Sequence, residues 1–222
     1  LLGVTVPMGV GSTQALLTSC NREEKKSDKR VTPEELGMFS FVDIAPDGEP
    51  LKAALIGCGD RGTGAASQFL ESGPNVSIIA LADLFPDRMG NCRKVLSEKF
   101  DNNVADSNCF LGFDAYQKIM EMPDIDIVLL CTPTHFRPEH FKAAVEAGKH
   151  IFLEKPMAIT VEECEAIIGA ASEAGVQLQI GFMRRFDERF VRAKTLVDSG
   201  ALGRVMTVKS TGRGPGLPPL AG

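Results

Sequence analysis

The residues able to do chemistry are concentrated where apolar runs break off. Ala54-Leu55-Ile56-Gly57-Cys58-Gly59-Asp60-Arg61-Gly62-Thr63-Gly64 passes from apolar residues into glycines and then into a helical pattern. In such a run Gly57 permits a tight turn, Gly59 lets backbone approach a pyrophosphate, and Gly62 lets the next helix pack on its strand. The first N–H groups of that helix face phosphate oxygens. Asp83 closes the run Val76-Ser77-Ile78-Ile79-Ala80-Leu81-Ala82 and lies 21 residues beyond Gly62. At that spacing a carboxylate accepts hydrogen bonds from the ribose hydroxyls of NAD. A 2′-phosphate would meet like charge there, so NAD is favoured over NADP, and Arg88 softens the preference if it folds back toward the ribose. The other reading of Asp83 is a cap for the helix after Pro86.

Those residues need elements to position them. Strands are predicted over Leu51 to Ile56, Val76 to Ala82, Ile125 to Cys131, His150 to Leu153 and Val176 to Ile180. Between them run helices from Gly62, over Asp87 to Phe100, Ala115 to Met120, Glu139 to Ala147 and Val161 to Ala174. Such alternation implies right-handed crossovers and an α/β fold: a Rossmann-type, doubly wound parallel sheet with helices on both faces. Ile125-Asp126-Ile127-Val128-Leu129-Leu130-Cys131 is nearly continuous in apolar residues, as a strand buried on both sides must be. After Gly181 a charged helix from Asp187 to Ser199 and a strand over Val205 to Lys209 read as the start of an α+β second domain. The expected organisation is a signal or lipoprotein segment over 1–20, a linker over 21–50, the dinucleotide-binding domain over 51–181 and the second domain's beginning over 182–222.

In an open parallel sheet, ligands sit beyond the carboxyl ends of the strands. Two further strand ends carry chemistry: Cys131-Thr132-Pro133-Thr134-His135, with His140 behind it, and Leu153-Glu154-Lys155-Pro156. A lysine at a strand end can hydrogen-bond a substrate hydroxyl and take part in proton transfer. His135 and His140 are candidates to bind nicotinamide or substrate, or else helix-start residues with local hydrogen bonds. Arg184 and Arg185 hold an anionic or polyhydroxyl ligand, or form salt bridges with Asp187 and Glu188.

The 222 residues carry a net charge of −5, one Tyr and no Trp. That leaves neither a basic footprint nor stacking platforms for nucleic acid. Cys58, Cys92, Cys109, Cys131 and Cys164 show no Cys-x-x-Cys spacing and read as small buried hydrophobes, with no disulfide framework and no metal site. The first 20 residues are free of charge, whereas eight of the ten from Asn21 to Arg30 are charged. This suits the apolar core of an export signal.

In order and spacing, Gly57-Cys58-Gly59-Asp60-Arg61-Gly62, Asp83, Thr132-Pro133, Ala147-Gly148-Lys149-His150 and Glu154-Lys155-Pro156 resemble the Gfo/Idh/MocA oxidoreductases. The resemblance covers about Leu51 to Pro219, and Gly181-Phe182-Met183-Arg184-Arg185-Phe186-Asp187 looks like the inositol dehydrogenase-type members. It implies NAD as cofactor and a sugar or cyclic polyol as substrate. Lys155 would be the catalytic residue beside the nicotinamide and, with Arg185, would bind substrate. The cofactor would be held by Gly57, Gly59, Asp60, Arg61, Gly62, Asp83, Thr132, Pro133, His135 and Glu154. Family sheets often pair face to face, which implies a homo-oligomer. Leu17-Thr18-Ser19-Cys20 resembles the lipobox of bacterial lipoproteins, implying lipid on Cys20, a membrane contact through that lipid alone, and a periplasmic or membrane-tethered location; the alternative is cytoplasmic. The family's downstream Asp and His have no counterpart here, since His135, His140 and His150 all precede the second domain. A lone strand there exposes an unpaired edge, so the expectation is a fragment of a longer protein. Two other readings stand beside the dehydrogenase: a glycosidase that uses NAD transiently, and a non-catalytic nucleotide-binding fragment.

Overall fold

In the computed structural model, residues 49–212 are described. The segments expected as signal, lipidation site at Cys20 and most of the linker lie outside them. Six strands form one parallel sheet in the order β3-β2-β1-β4-β5-β6: β1 (Leu51–Ile56), β2 (Val76–Asp83), β3 (Cys109–Leu111), β4 (Ile127–Leu130), β5 (His150–Leu153) and β6 (Leu178–Ile180). The helices are α1 (Asp60–Glu71), α2 (Pro86–Phe100), α3 (Ala115–Met120), α4 (Arg137–Glu146), α5 (Val161–Ala174) and α6 (Glu188–Asp198).

The period of two along β1 divides the core. Ala53 and Leu55 join Ile78, Leu81, Met89, Cys92 and Leu96 on one face, under α1 and α2. Ala54 and Ile56 join Ile119, Phe141, Ala144 and Ile167 on the other, under α3, α4 and α5. Each fully buried Leu or Ile contributes about 1.5–3 kcal/mol through removal from water. The alanines serve a different end, since small side chains on β1 and β2 let helices lie close to the strands.

Local signals set the helix ends. Pro86 starts α2 with its pre-set φ and no N–H to satisfy, and Asp101 closes it at φ +52. A reciprocal capping box of Thr160 and Glu163 opens α5, and Gly175 closes it at φ +67.

Register brings the strand ends level. Ile56 is opposite Ala82 in β2 and Leu130 in β4, and Leu130 is opposite Leu153 in β5. The turns after β1, β2, β4 and β5 therefore open on one edge, with the reversal of strand order between β1 and β4 at its centre.

Two departures from the sequence reading concern strands. β3, only three residues long, was not anticipated. The strand expected over Val205 to Lys209 is absent: these residues are exposed and irregular, with no ladder partner among the described residues. The charged helix is present as α6, which buries none of its side chains.

Candidate functional site

The turn after β1 hangs from its neighbours. Gly57 donates its N–H to the Ala82 carbonyl at 2.8 Å and takes φ +97, where a side chain would also press on the Cys131 and Thr132 backbone at 3.0 Å. A methyl group at Gly62 would lie 1.7 Å from the Gly57 carbonyl oxygen, so α1 can rest on this turn only through glycine. Gly59 differs: a methyl there would meet nothing nearer than Arg88 Nη1 at 4.0 Å, leaving its face open. No side chain caps the start of α1, so its first N–H groups are left for a ligand.

Asp83 ties this turn to the end of β2. One carboxylate oxygen accepts the Cys58 N–H at 2.5 Å and the other accepts the Phe85 N–H at 2.8 Å. Each oxygen keeps acceptor capacity for a further donor. The carboxylate is thus fixed in direction before any ribose arrives.

Beyond β4, Thr132 Oγ1 lies 3.2 Å from His140 Nδ1. The Tyr116 ring packs on His140 with centroids 4.4 Å apart, and the Tyr116 hydroxyl donates to Glu139 at 2.9 Å. Burial pushes the His140 imidazole below its ordinary range, and Glu139 opposes this only in part. His140 is therefore neutral at pH 7.

Beyond β5, Glu154 is 2% exposed and accepts from Arg61 Nε at 2.7 Å and Nη2 at 2.5 Å. It also occupies the space beside Gly181, where a methyl would lie 2.9 Å from its Oε1. The next peptide bond, Lys155-Pro156, is cis.

A cleft of about 670 Å³ runs along this edge, lined by Gly57, Gly59, Arg61, Gly62, Asp83, Thr132, Pro133, Glu154 and Lys155 among others. Nine of the residues assigned from sequence thus share one concavity. Three do not line it. Asp60 is exposed on the first turn of α1, His135 is exposed with its ring edge-on to Phe136, and Arg185 is exposed beside the Phe182 ring. Asp187 pairs with Arg189 rather than with Arg184 or Arg185. Arg88 does fold back, with its guanidinium 4.5 Å from the Phe85 ring centroid and near Gly59.

Sequence reasoning passed over the aromatic wall formed by Phe85, Phe113, Tyr116 and Phe136. It also passed over Arg137, which is 6% exposed. Arg137 donates from Nε to the Thr132 carbonyl at 2.8 Å, and from Nη1 to the Glu154 carbonyl at 2.6 Å and to the Pro156 carbonyl. Its place before Pro138 at a helix start carried no local signal of burial. Cys58 and Cys92 are buried and all five described cysteines are free. Burial pushes the Cys131 thiol up to about 12, so it is no nucleophile at pH 7. No cluster of three His, Cys, Asp or Glu suited to a metal occurs among the described residues.

The family model described as oxidoreductase family, NAD-binding Rossmann fold, matches residues 51–182. The chain is 32% identical over 170 residues to scyllo-inositol 2-dehydrogenase (NAD(+)) of Bacillus subtilis, covering 76% of this chain and 46% of that protein. Among solved structures, scyllo-inositol dehydrogenase from Lactobacillus casei, with NAD(H) and scyllo-inositol bound, superposes with a TM-score of 0.59 at 26% identity, over 70% of this chain and 43% of that one. Aldose-aldose oxidoreductase from Caulobacter crescentus gives 0.58 at 32% identity, over 70% and 44%. The chain spans less than half the length of each of these relatives.

Proposed function

The chain belongs to the Gfo/Idh/MocA family of oxidoreductases, with its NAD-binding Rossmann fold, and on that premise we propose that it is the cofactor half of an NAD-dependent dehydrogenase acting on a carbinol of a cyclic polyol or sugar. One observation carries the proposal. The glycine turn, Asp83, Thr132-Pro133 and Lys155 line a single cleft at the reversal of strand order. The cleft fits a dinucleotide because the Gly59 face is open and the start of α1 is uncapped. The relatives' names add the substrate class, a cyclic polyol or an aldose.

When bound, NAD supplies the hydride acceptor or donor at its nicotinamide ring. The turn from Gly57 to Gly62 binds the pyrophosphate through N–H groups. Asp83 accepts from the ribose hydroxyls and repels a 2′-phosphate. Thr132 and Pro133 form the floor between the strand ends, and the Phe and Tyr wall keeps water from the rings. Lys155 accepts a hydrogen bond from the substrate hydroxyl and takes its proton as the carbinol is oxidised. Glu154, already neutralised by Arg61, shapes the pocket instead of competing for that proton.

The test is a titration with NADH and, separately, NADPH, read by nicotinamide fluorescence against a chain without Trp. Saturable NADH binding with weaker NADPH is expected, and a folded chain that binds neither overturns the assignment. In the full-length protein Lys155→Met should lower kcat by at least about 100-fold, the scale of general acid–base catalysis, with NADH affinity retained. Lipidation at Cys20 and export belong to the same proposal. Labelled palmitate on the precursor in a bacterial host, lost in Cys20→Ser, tests them.

A further inference from the structure

We propose that Arg137 is the positioning residue that aims Lys155 into the cleft. The inference rests on the reading of Lys155 given above, and its observation is independent of that reading. Arg137 is the first residue of α4, yet it is buried beneath the strand ends rather than turned to solvent. Its Nη1 takes the carbonyls of both Glu154 and Pro156, the two residues flanking Lys155. Two carbonyls, one residue apart on either side of Lys155, converge on a single nitrogen. The peptides around Lys155 are thereby fixed, and its side chain lines the cleft.

On its other side Arg137 Nε holds the Thr132 carbonyl at 2.8 Å. One planar guanidinium therefore joins the turn after β4 to the turn after β5. A lysine ammonium is a point donor on a single stem and cannot reproduce that fork. Burial pulls the guanidinium pKa down, and the nearby Glu154 carboxylate opposes this only in part. At such depth an arginine without a ligand of its own needs a task, and the three carbonyls supply it. Arg137 borders the same cleft, but its Nε and Nη1 are held by main-chain carbonyls, so its action on chemistry passes through Lys155.

The experiment compares this chain with its Arg137→Lys and Arg137→Gln variants in three measurements: melting temperature, NADH affinity by fluorescence, and the labelling rate of Lys155 by an amine-reactive reagent with and without saturating NADH. Lys94 and Lys142, both largely exposed on outer helix faces, serve as internal references by peptide mass spectrometry. In the unaltered chain NADH should protect Lys155 and leave both reference lysines unchanged. In a folded variant, with each chain measured at its own saturating NADH, protection of Lys155 should fall at least fivefold, by more than any loss of NADH affinity. Undiminished protection of Lys155 in either folded variant overturns the proposal. So does the unfolding of both variants, which would make Arg137 a residue of the core alone. Failure of the unaltered chain to bind NADH would instead strike the cofactor reading, and is separately visible.

Discussion

Gly62→Ala is the sharpest test of how the cofactor turn is built. The added methyl would lie 1.7 Å from the Gly57 carbonyl oxygen and 2.9 Å from its carbon, with Cys131 Cβ at 3.3 Å behind. The obstructing atoms are backbone, so no side chain can rotate away. Normal contact requires α1 to retreat from the turn by more than about 1 Å. Overpacking of this kind costs about 1–3 kcal/mol, and at a backbone clash the upper part of that range or more applies. Alanine's greater helix propensity returns up to about 1 kcal/mol, leaving a net loss of roughly 2 kcal/mol. For a domain of this size that is a fall in melting temperature of about 4–8 °C. NADH affinity should fall further, by at least tenfold, because the N–H groups proposed to bind the pyrophosphate move with α1. Gly64→Ala is the control in the same helix: its methyl would make only an ordinary contact with Arg61 Nη1 at 3.4 Å, so stability should hold or rise. Circular dichroism melting and fluorescence titration read both effects. A Gly62→Ala chain that melts and binds as Gly64→Ala does would refute the packing argument.

Asp83→Asn leaves one acceptor oxygen where two now serve Cys58 and Phe85. NADH affinity should drop about tenfold or more, the scale of a hydrogen bond to a charged group, while the preference over NADPH narrows; an unchanged ratio of the two dissociation constants would count against the ribose assignment. Arg61→Met strands a carboxylate that is 2% exposed, whereas Glu154→Gln leaves an arginine whose side chain is 42% exposed. Arg61→Met should therefore cost several kcal/mol and Glu154→Gln clearly less, with the double variant recovering much of the loss in urea melts. His140 has its folded pKa below the ordinary value of 6.5, so the unfolded chain binds the proton first. The stability it contributes is complete above about pH 6.5 and is lost as pH falls from there toward the folded value. His140→Asn should flatten that part of the stability profile, and parallel profiles for the two chains would refute the burial argument.

What was legible in the sequence was what a residue requires by itself. Gly57 needs positive φ, Gly62 has no room for Cβ, and Asp83 ends an apolar run at a fixed distance from the turn. Each of these is a local constraint that leaves a residue type behind. β3 was not legible because three residues carry no measurable period. The expected strand over Val205 to Lys209 failed for the opposite reason, since alternation was present but a strand needs a ladder partner and the described residues supply none. His135 was favoured over its neighbours on chemical type, yet the turn from Thr134 to Phe136 puts His135 outside and leaves Phe136 lining the cleft. Arg137 was invisible because its three acceptors are main-chain carbonyls, which every residue has.

The structure also explains why such a site holds its shape before any ligand is bound. The glycine turn reaches the loop of Lys155 through the Arg61–Glu154 pair, and the turn of Thr132 reaches the same loop through Arg137. Asp83 closes the chain of contacts by holding the Cys58 N–H. Four strand ends are therefore joined by four charged side chains, Arg61, Glu154, Arg137 and Asp83, each satisfied at once by backbone or by an opposite charge. Ordering a loop on binding costs about 1–2 kcal/mol per residue in backbone entropy, and these contacts incur that cost during folding instead. On the proposed reading, cofactor affinity and the aim of Lys155 depend on the same register that levels β1, β2, β4 and β5. A substitution in the sheet that slips one strand should be felt as a loss of binding even where no lining residue has changed.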